Sequence, residues 1–242
     1  MSAPGEIARL PDGFLDRGAD VTRLEAFVDA AFAFAVTLLV ISLNSIPDSI
    51  PGMLDALKGI PSFAASFAQI MMFWSAHATW SRRFGLDDKG SGRLSLLLVF
   101  LVLVYVYPLK ILFGSLFAWI SGGWIPPVAQ IHSLADLVGM FTMYGIAFGT
   151  LSLCMAALNR QALRAKVTPP LDEFERACTR REIVHWLYHA AVATASIAFA
   201  MLLPGDSPGW LFGMPGMLYV LLSFTGVVIN RFAPHAVAHT PA

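Results

Sequence analysis

Apolar positions along this chain come in long unbroken runs, not in the roughly ten-residue alternations of a membrane β-barrel. Six runs reach the roughly 20 mostly apolar residues that a helix needs to cross a bilayer. They cover about 23–46, 61–81, 94–118, 134–159, 183–203 and 209–230. Turn-forming residues separate them: Pro47 and Pro51, Gly85 to Gly92, Gly122-Gly123 with Pro126-Pro127, Pro169-Pro170, and Pro204 to Pro208. The pattern predicts an all-α integral membrane protein with six transmembrane helices in a single copy. A polar segment (1–21) precedes the membrane domain (22–230) and a tail (231–242) follows it.

Composition strengthens that reading. The chain of 242 residues is 57% apolar and 13% charged, whereas soluble domains carry about 25% charged residues. Mean hydropathy is +0.66. Sixteen basic and sixteen acidic side chains cancel, which leaves no overall basic field for nucleic acid. Cys154 and Cys178 have neither metal-ligand nor redox spacing. Residues 1–20 lack the apolar stretch of a signal peptide.

The placement of positive charge predicts orientation. Arg9, Arg17 and Arg23 precede the first span, and Arg82, Arg83, Lys89 and Arg93 lie between the second and third. Arg160, Arg164, Lys166, Arg176, Arg180 and Arg181 lie between the fourth and fifth, and Arg231 follows the sixth. These are 14 of the 16 cations, against Lys58 alone in the opposite loops and Lys110 within span three. Both termini are therefore expected in the cytoplasm, with the protein in the cell (inner) membrane.

Polar residues inside the spans are the candidate chemistry, because each is expensive there. Thr22 and Glu25 have capping-box spacing, so the first helix is expected to start at the cytoplasmic face. Asp29 then lies about 10 Å deep, and His77 on the antiparallel second span lies at a similar depth. Together they form either a hydrogen bond that locks two helices or a titratable element. Lys110 and Asp136 are a possible outer pair, although Lys110 can also snorkel. On the first helix Ala30, Phe34, Thr37, Ile41 and Asn44 recur at intervals of 4, 3, 4 and 3, within about 80° of one another. That stripe is either a functional face or an ordinary apolar face whose threonine bonds back to its own helix.

The run Arg23-Leu-Glu-Ala-Phe27-Val28-Asp29, continuing into Ala-Phe-Ala-Phe-Ala-Val-Thr, resembles the first-helix signature of the transmembrane protein 175 family of potassium channels. That signature reads Arg, three residues, Phe-Ser-Asp, then an apolar run with a threonine. Phe73-Trp74-Ser-Ala-His77 is similar to the family's second-helix motif, and Tyr107-Pro108 falls where the family tends to have a proline. Two positions depart: Val28 replaces the motif serine, and Phe34 stands where relatives usually carry a smaller aliphatic residue. The resemblance implies a potassium-preferring cation channel with no cofactor beyond the permeant ion. First helices would line the pore, apolar rings would form its constriction, and Thr37 would contribute to potassium preference. Arg23, Phe27, Asp29, Trp74 and His77 would form the motif network between helices.

Other features agree with a channel. The chain has no Thr-Val-Gly-Tyr-Gly filter and no arginine-rich voltage sensor. One motif copy supplies one pore helix, so several chains must surround a central path, and the resemblance points to a homotetramer. Two alternatives are a secondary transporter broken at Pro108 or Gly145/Gly149, and a b-type haem protein using His77, His185 and His189. No His-Glu-x-x-His pattern occurs, and no enzyme is expected.

Overall fold

Caps supplied by the sequence set where the helices begin. The Thr22 hydroxyl accepts the Glu25 N–H at 3.1 Å and opens α1 (Arg23–Ile41). Ser49 caps a short α2 (Ile50–Leu57), and α3 (Ile60–Phe84) stops at Gly85 in the left-handed conformation. Asp88 caps α4 (Lys89–Ile120) by accepting from Gly90 N–H and Ser91 Oγ. Reciprocal capping boxes open α5 (Leu134–Arg164), with Ser133 and Asp136, and α6 (Glu173–Leu202), with Asp172 and Glu175. The computed structural model describes residues 7–41 and 49–233.

Consecutive long helices run antiparallel: Leu94 near the start of α4 meets Cys154 in the second half of α5, and Gly145 and Gly149 of α5 meet Ile197 and Ala193 of α6. The α5 helix packs most extensively on α6 and α4. At Gly145 an added Cβ would lie 2.6 Å from Ile197 Cγ1, so only glycine lets α5 come this close to α6. The core between the helices is aromatic. Phe73 meets Tyr105 edge-on at 6.3 Å and Phe148 at 5.8 Å, and it stacks on Trp186 at 5.5 Å. The helix α1 lies at one side of this core, packed on α3 and α4.

Four of the described helical segments are long and apolar enough to cross a membrane by length and composition: α4, α5, α6 and Leu211–Phe232. The first three have 32, 31 and 30 residues, about 45–48 Å each, so they outreach the hydrocarbon layer. The stretch expected as a sixth uniform helix is instead a succession of tighter and normal turns. Gly209–Gly213 and Leu218–Phe224 are 3-10, separated by α7 (Met214–Met217) and followed by α8 (Thr225–Phe232). Gly213, Pro215 and Gly216 account for the interruption, since both residue types disfavour continuous α-helix. A further difference is α2, which occupies a stretch read from its prolines as a break. Pro51 sits in the first turn, where its missing N–H costs nothing.

Residues 7–21, expected only as part of a polar segment ahead of the membrane domain, are folded against the bundle. Phe14 is 1% exposed and wedges between Phe84 of α3 and Phe174 of α6. The Arg17 guanidinium grips the Glu175 carboxylate with two bonds of 2.7 Å.

Candidate functional site: the outer face of α1

Two faces of α1 have opposite fates. Glu25, Val28, Phe32, Ala35 and Leu39 recur at helical spacing and are buried against the rest of the subunit. At 100° per residue that face is centred about 180° from Ala30, Phe34 and Thr37. These three are exposed, Phe34 by 54%, so no described part of the subunit covers the stripe. The Thr37 hydroxyl donates back to Ala33 O at 2.9 Å, leaving its oxygen lone pairs on the open face. Asn44 and the side chain of Ile41 lie outside the described residues. Val28, where the signature carries serine, is fully buried in the apolar core, which explains why a hydrocarbon side chain fits there.

The polar residues flanking this face pair differently from the expectation. Asp29 is bonded to Trp74, whose Nε1–H donates to Oδ1 at 2.8 Å. The ring of His77 is buried, and its Nε2 meets Ser95 Oγ of α4 at 2.9 Å. Asp29 and His77 therefore do not bond to each other. The indole of Trp74, three residues earlier on α3, reaches the carboxylate instead. Phe27 and Arg23 are exposed at the start of α1.

The outer pair is not formed either. Asp136 accepts from the backbone N–H groups of His132 and Ser133, both at 3.0 Å, so its carboxylate is spent on capping α5. Lys110 is half-buried along α4 and makes no ion pair with it.

The breaks that a transporter reading needed are missing. Pro108 lies within continuous α4, and Gly145 and Gly149 lie within continuous α5, facing α6. The haem reading lacks convergent ligands: His185 and His189 stack on one another along α6 at 4.3 Å, while His77 is engaged by Ser95. No group of three or more metal-ligating side chains occurs among the described residues. One Gly-x-Ser-x-Gly spacing occurs, at Gly205–Gly209. It occupies the turn after α6, where Ser207 N–H bonds to Pro204 O, not the strand-to-helix elbow of a hydrolase.

Residues 23–108 match the family model described as "Endosomal/lysosomal potassium channel TMEM175". A protein of Marivirga tractuosa named "Potassium channel" is 29% identical over 230 residues, covering 93% of this chain and 92% of the relative. The crystal structure of a single-residue variant of the potassium channel MtTMEM175, bound to a nanobody–MBP fusion, superposes with a TM-score of 0.78 at 27% identity. It covers 93% of this chain and 98% of that one. A TMEM175 homologue from Chamaesiphon minutus shares the fold, with a TM-score of 0.57, 21% identity and coverage of 86% and 97%.

Proposed function

As the chain resembles the bacterial branch of the TMEM175 potassium channels, a family of ion channels and not of enzymes, we propose that it is a potassium-preferring cation channel whose α1 helices line the pore. The observation that carries this reading is the uncovered stripe of α1. An apolar helix face with one hydroxyl, left open by the described residues of its own subunit, suits a surface shared by several copies around an axis. Four copies, each contributing six spans with both termini in the cytoplasm of a cell (inner) membrane, would bring four such stripes together. Phe34 then forms the bulkiest apolar ring, which excludes water and ions when narrow. Thr37, one turn further out, offers hydroxyl oxygens that replace part of the hydration of K+. Ile41 and Asn44 continue the lining towards the outer mouth. Asp29 and Trp74 fix α1 to α3 beside the stripe, and His77 with Ser95 fixes α3 to α4.

The test is substitution in reconstituted protein. Phe34→Ala is expected to raise cation current with the oligomer intact, and Thr37→Val to lower the preference for K+ over Na+. Unchanged currents and selectivity in both variants would remove the stripe from the pore.

A further inference from the structure

We propose that residues 8–17 are a strap that holds the inner end of α1 away from the pore axis, with Arg17 and Glu175 as positioning residues for conduction. This rests on α1 being the pore helix. The strap is built to stay put. A turn closed by Leu10 N–H to Phe14 O at 2.7 Å, with Gly13 at φ +89°, aims Phe14 into the gap between α3 and α6. The Arg83 guanidinium covers the Phe14 ring at 4.4 Å. Beyond Phe14, the Arg17 and Glu175 side chains are 1% and 0% exposed. Arg17 also donates to Pro169 O at 2.9 Å and Arg83 O at 3.2 Å, and Leu15 N–H adds a bond to Glu175 Oε1 at 2.9 Å. Gly18 N–H then bonds to Arg82 O at 3.0 Å, so close to α3 that a Cβ would lie 2.4 Å from Ser81 O. Only the link from Gly18 separates this anchor from Arg23, where α1 begins.

The mechanical consequence follows from the lining. Four phenyl groups around an aqueous axis lower their free energy by covering one another, so an apolar ring tends to collapse inward. An anchor on α3 and α6 opposes that collapse. A buried bidentate ion pair suits the task because it fixes geometry more than it adds stability, and removing one partner strands the other charge.

The structure also contains a reporter of the strap's position. A cavity of about 190 Å³ opens beneath it, lined by Asp12 and Phe14 of the strap and by Arg83, Cys178, Arg181 and His185 among others. The Cys178 thiol is thus partly screened by the strap, while Cys154 is buried elsewhere.

The experiment uses the full chain, with single-channel recording in bilayers and N-ethylmaleimide labelling of Cys178 followed by mass spectrometry. Glu175→Gln is expected to speed labelling at least tenfold and to lower open probability at least threefold, with conductance and reversal potential unchanged. Phe14→Ala leaves both charges in place, is expected to act in the same direction, and decides the matter if Glu175→Gln does not purify. Faster labelling with unchanged open probability would make the strap purely structural and overturn the proposal. Unchanged labelling in the variant that purifies would overturn it too, because the strap would not have been released. A silent wild-type protein would overturn the pore reading and the proposal together, whereas the other failures leave a conducting wild type.

Discussion

Trp74 donates its indole N–H to the Asp29 carboxylate at 2.8 Å, and this bond joins α1 to α3 where the sequence motifs of the two helices meet. His77, one turn further along α3, is committed to Ser95 on α4. The polar residues thus form two successive pairs across three helices. A double-mutant cycle between Asp29 and Trp74, read from thermal stability of the purified protein, is expected to give a coupling of about 1–2 kcal/mol. The cycle between Asp29 and His77 should give a distinctly smaller value. A larger coupling to His77 would contradict this pairing.

Phe34 and Phe73 are chemically identical but differ in environment, with exposures of 54% and 0%. Phe73→Ala leaves a cavity in the aromatic core and is expected to cost about 3–5 kcal/mol. Phe34→Ala should cost about 1 kcal/mol or less within the subunit. Melting temperatures in detergent check the ordering, and equal losses would mean that Phe34 packs as core.

Asp88 provides a pH-dependent element outside the spans. Hydrogen bonds, led by that from the Ser91 hydroxyl, hold its carboxyl below the ordinary value of 3.8. A depressed folded-state value means that the cap's contribution is complete above pH 3.8 and is lost as pH falls through the lower folded value. Asp88→Ala is expected to destabilise by about 1 kcal/mol at neutral pH, with the difference from wild type shrinking in acid. A difference that grew on acidification would contradict this assignment.

Orientation is checked by thiol labelling of intact cells. Gly52→Cys and Ser207→Cys are expected to react with an impermeant reagent from outside, and Lys166→Cys only after permeabilisation. The reverse pattern would invert the subunit.

Much of this architecture is legible in the sequence because it depends on neighbours along the chain. The Thr22 cap, the breaks at Gly85 and Pro169-Pro170, and the opposed faces of α1 all follow from spacing within a few residues. What spacing does not reveal is which long side chain reaches which partner. Trp74 and His77 share a helix and both have an N–H to offer, so only the packing of α3 against both α1 and α4 decides which of them meets Asp29. The strap was hidden for a stronger reason, since Arg17 and Glu175 are 158 residues apart. Its one local sign is Phe14, a large apolar residue amid the charges of Asp12, Asp16 and Arg17.

Current across a planar bilayer holding the purified wild-type protein, with K+ on one side and Na+ on the other, tests the central claim most directly. A pore lined by the Phe34 and Thr37 stripe is expected to carry cation current whose reversal potential is displaced towards the K+ equilibrium potential. No current, or a reversal potential set by Na+ or by anions, would contradict it.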